Sequence, residues 1–147
     1  MTRLELMAAV AAIDVAVTVQ AELKVDFTAV HFWTDSTCVL QWVRNPDLPL
    51  KLFVANRVAK LIEGSAGATW HYVNTRDNPA DIGSRGLRPT QTAEITRWLE
   101  GPPWLKTGRS SWPTADPTRT GPLDPGTLEL KVNLVVTPVP TPAAALV

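Results

Sequence analysis

Proline is unevenly distributed along this chain, and its distribution limits where regular secondary structure can form. Of the thirteen prolines, four lie in residues 1–100 and nine follow. Proline fixes φ and removes a backbone donor, so closely spaced prolines exclude long helices and central strands. We therefore predict a folded domain over residues 1–105 and a Pro-rich, irregular extension over 106–147. Alternation of apolar and polar residues near 128–136 predicts one edge strand within that extension.

Within residues 1–105, helical and extended patterns alternate. We predict strands at 29–34 and 68–73, and helices at 3–23, 36–43, 50–63 and from Asn78 onward. Strands joined by helical connections imply parallel pairing, which places the domain in the α/β class. Two strands are too few for an independently stable sheet, so the pattern predicts part of a larger α/β domain.

Charge and cysteine content give few restrictions on function. The chain has 14 Lys and Arg against 14 Asp and Glu, so its net charge predicts no polyanionic partner. Residues 44–88 hold seven basic and four acidic residues. This excess weakly indicates a basic face, and an ordinary solvated surface explains it equally well. The lone Cys38 excludes an internal disulfide, and we interpret it as a small buried residue of a helix.

The apolar N-terminal stretch has the composition of a signal peptide, but two charged residues, Glu5 and Asp14, interrupt it. Its longest uncharged run, residues 6–13, has eight residues. A membrane-spanning helix needs roughly 20. We therefore predict no signal peptide, no transmembrane segment and an intracellular location.

Three acidic residues lie where α/β proteins place functional carboxylates. Asp35 ends the first predicted strand, Asp81 opens the last predicted helix, and Glu5 lies in the first turns of the first helix. Functional residues gather at the carboxyl ends of parallel strands, and clustered carboxylates suit a hard cation such as Mg²⁺. The pattern therefore makes these three acids candidate metal ligands.

Each acid also has a purely structural explanation. Asp35 can be the N-cap of the following helix. Asp81 can interact with the helix dipole and close a capping box, with Asn78 as N-cap and Pro79 at the first helical position. Glu5 can be a solvent-facing residue near a helix start. Spacing alone indicates no more than an α/β fragment with capped helices.

Five sequence blocks occur in a specific order. They are RLEL (3–6), FWTDSTCVLQWV (32–43), FVANRVAKL (53–61), WHYVNTRDNPADIGSRGL (70–87) and RWLEGPPWL (97–105). Together they resemble the ribonuclease H-like segment of the Pol polyprotein of BEL/Pao-type LTR retrotransposons, over residues 1 to about 112.

This resemblance implies a particular fold and site. The ribonuclease H-like fold has three antiparallel strands before its first helix, so the chain corresponds to an incomplete fold without those strands. The first metal-binding aspartate would lie on the missing part. The resemblance implies that Glu5, Asp35 and Asp81 hold two Mg²⁺ ions. One ion would activate water and the other would stabilise the 3′-oxyanion.

The resemblance also implies the substrate and partners. The substrate would be the RNA strand of an RNA–DNA hybrid, recognised through its backbone and 2′-hydroxyls. The partners would be the missing strands and the reverse transcriptase of a longer Pol polyprotein, with no membrane. Candidate phosphate contacts are Lys51, Arg57, Lys60, Arg76, Arg85 and Arg88, although an ordinary surface role explains each of them better. Asn78 matches the asparagine that precedes the last acid in the family and is a further candidate nucleic-acid contact. Because the first metal-binding aspartate would be missing, the resemblance implies that this isolated chain is inactive. The alternative is a non-catalytic retroelement-derived remnant, or a nucleic-acid-binding or interaction module.

Overall fold

The computed structural model describes residues 2–24, 26–119 and 124–131. Within these ranges the α-helices are α1 (Thr2–Leu23), α2 (Thr37–Arg44), α3 (Leu52–Gly64), α4 (Ala80–Ser84) and α5 (Thr92–Glu100). The strands are β1 (His31–Thr34) and β2 (Thr69–Tyr72). Short 3₁₀ turns occupy Thr75–Asp77, Pro103–Lys106, Arg109–Ser111 and Pro117–Arg119. The prediction of an α/β architecture is confirmed at this level.

The two strands pair in parallel, as the helical connection between them predicts. His31 lies opposite Thr69, and Thr34 lies opposite Tyr72. The carboxyl ends of β1 and β2 therefore meet at the same edge of the sheet. In the described part of the chain the sheet has only these two strands, so the outer edge of β1 is unpaired there.

Helix α2 packs on the sheet, and α1 and α3 pack against α2 and against each other. Phe32 of β1 and Trp70 of β2 are partly buried against the core that these helices form. The closest helix pair is α1 with α3, where a Cβ added at Gly64 would lie 2.7 Å from Ile13 Cγ2. Glycine is therefore required there for the two helices to approach. The completely buried core side chains include Leu6, Val39, Leu40, Trp42, Val54, Leu61 and Leu128.

Helix α1 is amphipathic only in its first half. Its buried residues Leu6, Ala9, Val10 and Ile13 follow the helical period and face the core. Its second half exposes several apolar side chains, Val15, Val17, Val19 and Leu23. By length and composition α1 meets the criteria for a membrane-spanning helix, which buried core helices and signal sequences also meet. The absence of a signal or membrane segment therefore stays a prediction.

Ser36, not Asp35, is the N-cap of α2, because the Ser36 side chain accepts a hydrogen bond from the Val39 backbone N–H. Helix α3 ends at Gly64, one residue beyond its predicted end, and is followed by Ser65. Its hydroxyl donates to the Leu61 carbonyl over 2.7 Å, which satisfies one of the terminal acceptors of that helix.

The single helix predicted from Asn78 onward is two helices in the structure. Gly86 has a positive φ of 78° and ends the first of them, the five-residue α4. Pro79, not Asn78, precedes the first residue of α4. Asn78 still caps locally, because its side-chain oxygen accepts from the Ala80 backbone N–H at 3.2 Å. No capping-box bond from the Asp81 carboxylate occurs among the described contacts.

The Pro-rich extension contributes to the core despite its irregular backbone. The Trp42 indole N–H donates to the Leu128 carbonyl over 3.1 Å, and Leu128 itself is completely buried. Leu130 forms an isolated antiparallel bridge with Leu50. The predicted strand at 128–136 is therefore a single bridge in its described part, and its remainder lies outside the described residues.

Candidate functional site

At the carboxyl edge of the sheet, Glu5 contacts the residue that follows Asp35. Asp35 directly follows β1 and is half-buried. The next residue, Ser36, donates a hydrogen bond from its hydroxyl to Glu5 Oε2 over 2.7 Å. Because Ser36 also caps α2, the same side chain fixes the start of α2 against the first turns of α1. The structure thus brings two of the three predicted acids to one region.

Asp81 lies in a different electrostatic setting. Its carboxylate forms an ion pair with Arg85, four residues later on α4, at 2.7 Å. A small cavity of about 200 Å³ separates the start of α4 from β1, and its lining includes Trp33, Val73, Asn78 and Ala80. Asp35 is two residues after Trp33 and Asp81 directly follows Ala80, so both acids are close in sequence to residues that line this cavity. The ion pair nevertheless gives Asp81 a partner other than the first two acids.

These acids fit a divalent metal only in part. Glu5 and Asp35 supply carboxylate oxygens of the kind Mg²⁺ prefers. The described ranges contain no group of three His, Cys, Asp or Glu side chains positioned to share an ion. Asp81, the third acid of the predicted site, is paired with Arg85.

Cys38 behaves as predicted. It is buried in α2, and burial, with a further contribution from the charge of Glu5, raises the pKa of its thiol. A raised pKa lowers the thiolate fraction at neutral pH, so this side chain is unsuited to nucleophilic attack.

The basic residues predicted to contact nucleic acid differ in their partners and in their exposure. Lys60 pairs with Asp14 at 2.9 Å, and Arg85 pairs with Asp81. The guanidinium carbon of Arg57 lies 3.6 Å from the centre of the Phe53 ring, where the charge is held by a cation–π contact. The remaining basic candidates, Lys51, Arg76 and Arg88, are exposed. Asn78 is half-buried and engaged in its local turn.

A second cluster of polar and aromatic groups occupies the opposite face of the sheet, and the sequence interpretation missed it. His31 and Trp33 on β1 and His71 on β2 project to this face. Trp33 stacks on His71 with a ring-centre distance of 5.0 Å. Trp104, and Trp112 of the extension, cover the cluster, with ring centres 5.2 and 5.0 Å from that of Trp33. Alternation in HFWT and TWHY is the signal that indicates a shared face for these residues.

Three side chains of this cluster form a chain of hydrogen bonds. The Arg109 guanidinium lies 3.0 Å from His31 Nε2, and His31 Nδ1 lies 3.1 Å from His71 Nε2. Burial, followed by the nearby positive charges of His31, Arg109 and Arg44, lowers the pKa of His71. The lowered pKa favours the neutral form of His71 at pH 7, and Arg109 supplies a positive charge to the cluster.

Comparison with known proteins identifies no relative, since no family model, curated protein or solved structure matches this chain.

Proposed function

We propose that this chain is part of a ribonuclease H-like nuclease of a BEL/Pao-type Pol polyprotein, acting on the RNA strand of RNA–DNA hybrids. The observation that carries the proposal is the position of Asp35 directly after β1, with Glu5 bound to the adjacent Ser36 at 2.7 Å. Parallel α/β sheets place their functional groups at this edge. The unpaired outer edge of β1 in the described residues supports a larger sheet, because stable sheets usually have three or more strands.

Glu5 and Asp35 would hold Mg²⁺, and Asp81 would join them after giving up its ion pair with Arg85. Bound Mg²⁺ supplies a Lewis acid that stabilises charge on the phosphodiester and lowers the pKa of water. The carboxylates alone repel a phosphate backbone, so they need a cation before a hybrid can approach. Exposed Lys51 and Arg76 would contribute attraction for phosphates near this region.

The proposal includes its partners and location. An aspartate-bearing strand beside β1 would complete both the sheet and the ligand set, and reverse transcriptase would belong to the same polyprotein. Recognition of the hybrid would rest on backbone geometry and 2′-hydroxyl groups rather than on base sequence. An intracellular location follows from the substrate, which reverse transcription produces inside cells.

A second candidate is a non-catalytic nucleic-acid-binding or interaction module derived from such a retroelement. The observation that favours it is the 2.7 Å ion pair between Asp81 and Arg85. A carboxylate already neutralised by a guanidinium is a poor metal ligand, because the cation must displace that partner. On this proposal the acids are structural, and Asp35→Asn leaves function unchanged.

The experiment is a cleavage assay on a hybrid with a labelled RNA strand, with and without Mg²⁺. It compares this chain with a chain extended upstream to include the strands that the resemblance implies. We expect the extended chain to cleave in Mg²⁺, and Asp35→Asn to remove the activity. Asp47→Asn, in the exposed loop after α2, is the matched control and keeps it.

Equal cleavage by the Asp35→Asn variant would contradict the assigned mechanism. Binding of the hybrid without cleavage by the extended chain would favour the second candidate. Activity of the present chain by itself would show that no further strand is needed.

A further inference from the structure

A cleft of about 460 Å³ lies on the sheet face that carries His31 and His71, beneath residues 109–116 of the extension. Its chemistry-bearing lining comprises His31, Arg44, His71, Arg109, Trp112 and Asp116. None of the three candidate metal ligands lines it. Its volume lies in the range of small-molecule binding sites, roughly 300–1,000 Å³.

The hydrogen-bond chain along this cleft determines which atoms can bind a ligand. Arginine only donates, so His31 Nε2 accepts from Arg109 and the proton of His31 lies on Nδ1. That N–H then donates to His71 Nε2, which places the remaining proton of His71 on Nδ1. Neither imidazole keeps a free lone pair, so the pair is unsuited to a metal ion. The polar groups of this histidine pair that remain available to a ligand are N–H donors.

The charges of the cleft favour an anion. Arg44 is neutralised by Asp116, to which its guanidinium nitrogen lies at 2.5 Å. Arg109 is exposed and forms no ion pair with a carboxylate among the described residues. One arginine donates one N–H group to His31 and keeps several others. The cleft thus has a net positive charge and unused donors.

Aromatic rings form the apolar part of the cleft. Trp112 meets His31 edge-on with a ring-centre distance of 4.9 Å, and the Arg109 guanidinium lies 5.3 Å from the Trp112 ring centre. Trp112 is half-buried, so part of its surface is accessible. An arginine beside accessible aromatic surface is a combination by which proteins hold the phosphate and stack the base of a nucleotide.

We infer that this cleft binds a nucleoside phosphate, with the phosphate on Arg109 and the base against Trp112. The ligand is either a free mononucleotide or one unit of a single-stranded nucleic acid, since both present the same chemistry. The inference does not depend on the proposed nuclease activity, because the cleft and the carboxylates share no residue.

The test is a binding titration of the full chain without Mg²⁺. A fluorescently labelled oligothymidylate is titrated by anisotropy, and adenosine monophosphate is then added as a competitor. We expect saturable binding that Arg109→Ala weakens about tenfold or more, a loss of about 1.4 kcal/mol. Lys106→Ala is the matched control, because Lys106 is a nearby cation outside the cleft, and we expect its affinity to stay within about twofold.

A second variant separates binding from folding. Arg109→Gln retains an amide N–H that can reach His31 but lacks the positive charge, and we expect it to lose affinity while its circular dichroism and melting temperature stay unchanged. Competition by adenosine monophosphate would identify a mononucleotide cleft, and its failure to compete would identify a strand-binding cleft.

Two results would overturn the inference. One is unchanged affinity in both Arg109 variants, and the other is the lack of saturation with either ligand by ~1 mM. The Arg109 variants also distinguish this result from the proposed nuclease activity, because Arg109 lines the cleft and is not one of the candidate metal ligands. They are expected to lose affinity for oligothymidylate whether or not the chain cleaves hybrids.

Discussion

The Ser36 hydroxyl donates a 2.7 Å hydrogen bond to Glu5 Oε2 and, at the same time, accepts from the Val39 backbone N–H. One buried side chain therefore caps α2 and orients a candidate metal ligand on α1. Replacing it with alanine removes both bonds and leaves a helix N-terminus uncapped. We expect Ser36→Ala to lower the free energy of unfolding by about 1–2 kcal/mol.

Urea denaturation followed by circular dichroism measures this loss. Thr37→Ala is the control, because Thr37 is the exposed neighbouring residue and not the cap of α2. Equal unfolding midpoints for the two variants would mean that the Ser36 bonds contribute nothing net to stability.

The close approach of α1 and α3 depends on Gly64. A methyl group there would lie 2.7 Å from Ile13 Cγ2, which forces the helices apart or moves Ile13 off its rotamer. We expect Gly64→Ala to destabilise the chain by about 1–3 kcal/mol, against its favourable effect on helix propensity. Thermal denaturation measures the change.

Gly108→Ala is the matched control for this prediction. Gly108 has a φ of −64°, and the nearest other atom to its added methyl would lie 4.0 Å away. Alanine is therefore accommodated, and the variant should be neutral or slightly stabilised. A Gly64→Ala variant as stable as the parent would contradict the close packing of the two helices.

Trp42 ties the extension to the core. Trp42→Phe removes the indole that donates to the Leu128 carbonyl, leaves that carbonyl without its bond and shrinks a completely buried side chain. We expect a loss of roughly 2–4 kcal/mol, and faster proteolysis of the extension. Urea denaturation and limited proteolysis with mass spectrometry measure the two effects.

Trp98→Phe is the control for this substitution, because Trp98 is 48% exposed. It should change stability by less than about 0.5–1 kcal/mol. If both tryptophan variants unfolded at the same urea concentration, the Trp42–Leu128 contact could not be a source of stability.

His71 makes stability depend on pH. Its pKa in the folded chain is below the ordinary 6.5, through burial first and then the charges of His31, Arg109 and Arg44. The unfolded chain therefore binds the proton more readily than the folded chain. The His71 contribution to the free energy of unfolding is complete when the pH is above the pKa of His71 in the unfolded chain. It falls as the pH drops through about 6.5 toward the lower pKa of the folded chain.

We expect the free energy of unfolding to decrease between about pH 7.5 and 5.5, and His71→Gln to reduce this dependence. Glutamine can still accept from His31 but does not titrate. Denaturation series across this pH window measure the slope. A variant slope identical to that of the parent would mean that the His71 proton does not contribute.

The sequence predicted the element order because the helical and extended periods are strong over residues 1–73. The sequence also predicted the parallel pairing of β1 and β2, since strands joined by helices usually pair in parallel. Cap positions were less predictable. Asp35 and Ser36 are both good N-cap residues, and only the backbone conformation determines which of them lies at the helix boundary.

The candidate site was predictable only in part. The position of Asp35 at a strand end was predicted from the alternation of elements, but a shared site for Glu5 and Asp35 was implied only by the family resemblance. The ion pair of Asp81 with Arg85 is a local contact on α4 that the prediction did not include. The cleft was not predicted, because it brings residues of β1 and β2 against residues 109–116 of an irregular segment. Sequence periodicity carries no information about where such a segment packs.

The burial of Leu128 against Trp42 also has a consequence for synthesis. These two residues are 86 positions apart in the chain. At ribosomal rates of about 5–20 residues per second, Trp42 leaves the ribosome roughly 4–17 s before Leu128 can cover it. During that interval α1, α2 and α3 are complete but their shared apolar surface is open, so the nascent chain is a substrate for chaperones until its last third has emerged.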